Sequence, residues 1–429
     1  MDFGKINVMI EGGFNDIKIP KMIKIKQKFH DEAIENIESK TKVEIRNKIY
    51  LSNLKGKKIA ITAGSRGIKK IDIILLCVID ELKAVGAEPF IVPSMGSHGG
   101  ATAEGQKEFL ANYNITEESM GVKIISSMET VLIDTLEDGI PVYCDKNAYE
   151  SDGIIVINKI KPHADFKGDY ESGLVKMMAI GLGKHKGATN LHKQGFETFH
   201  ELLPRVGESF INNAPILFGI AIVENAYDNP LIIEAIGRKD MMRREKELLK
   251  IAKDNTARIK LDEIDVLIID EIGKNISGEG MDPNVTGRPG SYLNEGFEAP
   301  LIRKIVVLDI TKESHGNGAG IGMCDISTVG CVSKIDLGTM YTNSITATIL
   351  GPSKLPTIMN NDKEAIIIAI KTCTRIEFEN VKIVRIKNTL ELDEIEVSEV
   401  YYDSIKDCID LKIISEPYEL KFDNKLKLL

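Results

Sequence analysis

The stretch KKIAITAGSRGIKKIDIILLCVIDELKAVGAEPFIVPSMGSHGG, residues 57–100, decides the fold. Residues 57–64 are mostly apolar and end on Gly64, the mark of a buried strand running into a tight turn. From Ile68 to Val85 apolar residues recur at i, i+3 and i+4, which predicts a helix. Gly86 then stands where a helix C-terminal glycine belongs. Pro89 to Met95 predicts a second strand, Gly96 to Gly100 a loop, and Ala103 to Tyr113 a second helix. This order calls for a parallel sheet with right-handed crossovers. Ligands bind beyond the carboxyl ends of the strands in such sheets, and Ser65, Arg66, Ser97 and His98 all fall there.

Further along, Gly153 to Ile160 predicts a continuous apolar strand feeding Lys161-Pro162-His163. A Gly- and Lys-rich stretch follows from Gly173 to His192, then a helix from Phe196 to Asn212 and a strand from Ala214 to Val223. The charged segment Lys239–Asp254 has the apolar spacing of a surface helix. Asp265–Asp270 opens a second α/β unit, followed by the glycine-rich loop Gly273–Gly290 and a strand at Lys304–Asp309. Ile376 to Tyr402 alternates β-branched and charged residues, which predicts an antiparallel or edge portion. The expected fold class is α/β in two domains, residues 1–258 and 259–429. Each is expected to be built on a mostly parallel sheet with flanking helices, with the active site in the cleft between them.

Composition narrows the function classes. The 429 residues are 43% hydrophobic and 28% charged, so the chain can bury a sizeable core. Lys plus Arg number 55 against 64 Asp plus Glu, a net charge of −9. Such a chain has no global field for nucleic acid or anionic lipid, although one or two cations suffice to hold a small anion. The first residues lack the basic head and apolar run of a signal peptide, and no run approaches ~18 apolar residues. The six cysteines are scattered without a CxxC pair, which argues against a cysteine metal site and for buried, reduced thiols. The expectation is a cytoplasmic protein with a small-molecule substrate and no nucleic-acid or membrane partner.

Of seven histidines, four lie between positions 163 and 200. His98 and His163 stand out because each follows a predicted strand end beside Gly or Pro. Lys176 lies in the apolar segment Gly173-Leu-Val-Lys-Met-Met-Ala-Ile-Gly. Desolvated there, its amine is a nucleophile; alternatively it reaches water from a helix face. Dinucleotide binding is poorly supported. Gly64 and Gly67 have the wrong spacing for GxGxxG, and His315-Gly-Asn-Gly-Ala-Gly lacks a following helix and a spaced acid. A nicotinamide-dependent oxidoreductase and a non-catalytic small-anion or nucleotide binder are two readings that stay open.

Gly96-Ser-His98-Gly, Lys161-Pro-His163, Ser172-Gly-Leu-Val-Lys176 and Asn190-Leu-His192, in that order, resemble the nickel-dependent lactate racemase family of 2-hydroxyacid racemases and epimerases. The resemblance runs through the first 200 residues and is fainter beyond. It implies a nickel-pincer nucleotide, made by other proteins and tethered to Lys176, with Ser65 and Arg66 beside it and His192 completing the nickel coordination. It implies reversible hydride transfer to that cofactor through a 2-oxo acid, with His98 and His163 as the two acid–base residues. It also implies that Arg66, and Arg288 in place of a family lysine, grip the substrate carboxylate. Three departures stand out. Ala63 replaces an acidic residue, the His163-to-Lys176 interval is longer through Lys167-Gly-Asp-Tyr170, and the chain has no Trp. The last favours a sugar acid or another longer hydroxy acid over lactate.

Overall fold

The computed structural model describes residues 4–11, 13, 14, 16–49, 53–65 and 67–429. Chain contacts separate it into two units, His30–Thr256 and Met1–Phe29 with Ala257–Leu429. The first 29 residues thus leave the unit in which the sequence placed them. The Met22–Gln27 strand pairs antiparallel with Glu394–Ser398 on one side and Leu411–Ile413 on the other. Nothing local marks that destination, because the partners lie at the far end of the chain.

In the His30–Thr256 unit five strands stand in the order Glu88–Pro93, Lys58–Ala63, Gly153–Lys159, Ile216–Glu224, Pro230–Gly237. The first four are parallel and the last is antiparallel to its neighbour. Ile59, Ile61, Ile91, Ile155 and Ile220 are fully buried, as continuous apolar strands must be when both faces are covered. The helices Ile37–Ile49 and Ile71–Ala84 cover one face with Ile45, Ile49, Ile74, Leu75, Val78 and Leu82. The second of them ends at Gly86, whose φ of 79° lets its N–H reach back to the Lys83 carbonyl. The charged segment is the helix Met241–Asn255, whose Met241 packs with Leu174 against Gly219 of the sheet.

This strand order fixes where a ligand belongs. From Lys58–Ala63 the chain passes to Glu88–Pro93 on one side and then returns to Gly153–Lys159 on the other. The carboxyl ends of Lys58–Ala63 and Gly153–Lys159 therefore flank the topological switch point of the sheet. The residues that follow those two strands include Ser65 and His163.

The other unit has five parallel strands, Thr357–Met359, Ile326–Thr328, Leu301–Val307, Glu263–Ile269 and Ile383–Ile386. Glu394–Ser398, Met22–Gln27 and Leu411–Ile413 extend the sheet antiparallel. The alternating tail is thus antiparallel only in part. Ile383–Ile386 is buried enough to run parallel beside Glu263–Ile269. Five cysteines are buried, Cys408 is exposed, and none is paired. Among the described residues no helix is long and apolar enough to cross a membrane.

Candidate active site

The Gly153–Lys159 strand delivers its chain into a closed loop. Lys161 and Ser172 exchange backbone hydrogen bonds at 2.9 and 3.2 Å, so residues 161–172 leave the sheet and return to it. His163 is fixed inside this loop on both sides of its backbone. Its N–H donates to Glu171 Oε2 at 2.6 Å, and Lys167 Nζ donates to its carbonyl at 2.9 Å. Glu171 is itself buried and paired with Lys253 at 2.6 Å. The extra residues noted between His163 and Lys176 therefore build the His163 support.

After Ser172 the chain makes one helical turn, Leu174–Lys176, and continues as a π-helix over Met177–Leu182. Asn158 Nδ2 holds the start of this turn at the Gly173 carbonyl, 2.7 Å away. Gly173 is required, since a Cβ there would lie 2.2 Å from Glu245 Oε1. Glu245 is buried, and its Oε2 accepts the Val175 N–H at 2.9 Å. Burial pushes its carboxyl up to about 8, partly offset by hydrogen bonds from the Val175 and Leu174 backbone. The π-helix ends at Lys184, held at a φ of 54°, and Lys184–His192 forms the next helix. Wide π turns of this kind recur at functional sites.

Lys176 Nζ contacts His163 Nε2 directly. The other ring nitrogen, Nδ1, accepts the Asp165 backbone N–H at 3.0 Å. A backbone N–H can only donate, so Nδ1 carries no proton and the neutral ring holds its proton on Nε2. The contact holds the Lys176 amine against His163 inside the site.

His192 lies close by across an aromatic cluster. The Phe196 ring stands 6.0 Å from His163 and 5.5 Å from His192, and Phe199 stacks on His192 at 5.7 Å and 7°. Burial pulls the His192 imidazole down to about 4, and nearby Lys176 adds to the shift. His192 is thus a neutral donor throughout the ordinary pH range. No local pattern marks the Phe166, Phe196 and Phe199 cluster, because its members are spread over a loop and two helical segments.

His98 is exposed, and its Nδ1 lies 2.6 Å from Ser65 Oγ. The loops carrying these two residues both pack on the π-helix. A Cβ at Gly64 would lie 2.7 Å from Met177 Cε, and one at Gly96 would lie 3.1 Å from Ile180 Cγ2. The carboxyl edge of one sheet therefore gathers Ser65, His98, His163, Lys176 and His192 around the same helical segment. Arg66 lies outside the described residues. Arg288 belongs to the other unit, where its guanidinium donates to Asp325 at 2.7 Å and to the carbonyls of Met323, Ile302 and Arg303. Those bonds tie the loop after Asp282 to the Leu301–Val307 strand and the segment around Asp325. His30, His185, His200 and His315 are exposed.

Among the described residues no group of three or more His, Cys, Asp and Glu side chains could hold a metal ion. The donors around Lys176 are two imidazoles, His163 in direct contact and His192 across the aromatic cluster. That set fits a metal that arrives with most of its ligands on an organic cofactor.

Residues 21–201 match the family model for the lactate racemase N-terminal domain. The structure resembles that of the lactate racemase apoprotein from Thermoanaerobacterium thermosaccharolyticum at a TM-score of 0.52 and 16% identity, covering 86% of this chain and 99% of that one. A Thermotoga maritima protein aligns at a TM-score of 0.48 and 14% identity over 65% of this chain and 72% of its own. No curated protein sequence matches the chain. Residues 21–201 are therefore similar to a lactate racemase N-terminal domain, in a chain whose fold resembles that of a lactate racemase apoprotein.

Proposed function

We propose that this chain is a racemase or 2-epimerase of a 2-hydroxy acid that works with a nickel-pincer nucleotide. The contact between Lys176 and His163, with the neutral His192 across the aromatic cluster, is the observation that carries it. Lys176 would tether the cofactor and His192 would ligate its nickel. When bound, the cofactor supplies a reversible acceptor for the substrate Cα hydride. His163 and His98 exchange the hydroxyl proton, one for each enantiomer, and an imidazole suits proton transfer in both directions near neutral pH. Ser65 holds Nδ1 of His98 at 2.6 Å and so fixes the ring. The Phe166, Phe196 and Phe199 rings exclude water from the His163 and His192 side. Arg66 remains the candidate partner of the substrate carboxylate, through a two-pronged hydrogen bond.

The test is the intact mass of the protein co-produced with the cofactor-making enzymes. A single adduct mapped to Lys176, with nickel in equal amount, is expected, and neither in Lys176→Arg. An unmodified Lys176, beside a lactate racemase loaded in the same cells, overturns the reading. The absence of Trp favours a sugar acid or another longer hydroxy acid. A panel of 2-hydroxy acids turned over in deuterated water is expected to rank lactate below these; preferential turnover of lactate refutes that choice.

A further inference from the structure

Behind the His98 loop runs a buried polar chain that the proposed chemistry does not use. Asp145, Lys184 and Gln106 are each 0% exposed. Asp145 Oδ1 accepts the Ala148 N–H at 2.9 Å, and its Oδ2 faces Lys184 Nζ at 3.6 Å. Lys184 Nζ donates to the Pro93 carbonyl and to Gln106 Oε1, both at 2.7 Å. Gln106 Nε2 in turn donates to the carbonyls of Gly96 at 2.9 Å and His98 at 3.2 Å. The Gln106 amide orientation follows from its neighbours, since the ammonium can only donate and the two carbonyls can only accept. Buried ionic chains stabilise a fold less than apolar packing of the same volume. What this one provides is a fixed donor beneath the His98 backbone.

We propose that Gln106, held by Lys184 and Asp145, is a positioning residue that sets the orientation of the His98 imidazole. His98 is then held at two points, its carbonyl by Gln106 and its ring Nδ1 by Ser65. Lys184 also joins the π-helix that follows Lys176 to the helix that carries His192. One side chain thereby couples the His98 loop to the segment bearing the other site residues. The proposal rests on the racemase reading only in treating His98 as an acid–base residue.

Two variants test it. Gln106→Glu keeps an oxygen for Lys184 but loses the donor to Gly96 and His98. Gln106→Met removes both partners without adding charge. The readout in the cofactor-free protein is the imidazole nitrogen shifts and pH titration of His98, with the other histidines as internal controls. Both variants are expected to move the His98 titration and leave His163 and His192 in place. In the loaded enzyme kcat is expected to fall roughly tenfold to hundredfold with KM little changed, the usual effect of a slightly misplaced group. A lowered thermal midpoint with unmoved His98 signals in either folded variant overturns the proposal, even if the enzyme racemises its substrate. Moved His98 signals in a loaded protein that turns over no 2-hydroxy acid uphold the positioning role and overturn the racemase reading instead.

Discussion

His163→Leu is expected to lower turnover of a 2-hydroxy acid by about 10²–10⁴-fold, the usual contribution of a positioned general acid–base group. The same substitution has a second effect that needs neither cofactor nor substrate. With the Nε2 proton gone from beside Lys176, the amine is expected to gain a proton more readily. Its acylation by a small anhydride at neutral pH then slows roughly tenfold for each unit gained in proton affinity. Peptide mass spectrometry measures that rate against the exposed lysines in the same digest. His163→Gln separates the two roles, because its amide N–H can donate to the Lys176 amine but cannot shuttle a proton in catalysis. It is expected to restore labelling and leave turnover low. Wild-type labelling of Lys176 in the leucine variant contradicts the hydrogen-bond assignment.

Glu245→Gln is expected to stabilise the protein at pH 8 and to change little at pH 5. In the folded protein the Glu245 carboxyl is raised from the ordinary 4.5 to about 8. Between those values the folded chain holds a proton that the unfolded chain has released. Stability therefore falls with rising pH, by about 1.4 kcal/mol per pH unit across that window. The loss is absent below about pH 4.5 and complete above about pH 8. The amide does not titrate, keeps an oxygen for the Val175 N–H, and escapes the loss. Denaturant midpoints of both proteins at pH 5 and pH 8 give the answer; a difference that is the same at both pH values sinks the prediction. Because Glu245 lies under the Lys176 turn, the same variant is expected to make that turn less sensitive to alkaline pH.

The strand–helix–strand unit was legible because each of its signals is local. Lys58–Ala63 and Ile71–Ala84 fall inside the residues whose apolar spacing and glycine stops mark them, and Glu88–Pro93 starts one residue ahead of its expected stretch. His98 and His163 were legible for the same reason, since each follows a strand that can be recognised by itself. The contacts of Arg288 were not legible in the same way. A guanidinium in a glycine-rich loop looks the same in sequence whether it meets a substrate or Asp325.

The sequence by itself determined the parallel α/β plan, the carboxyl edge as the place for chemistry, and the set of side chains able to perform it. Periodicity and turn residues encode those features within a few neighbouring positions. Only the tertiary structure decided which groups meet. The Asp165 N–H that sets the His163 tautomer, the buried acid under the Lys176 turn, the Asp145–Lys184–Gln106 chain, and the capture of Met22–Gln27 by the far end of the chain all depend on contacts between distant segments. Such contacts are selected by burial and by the need to pair every buried polar group, and no local pattern records them.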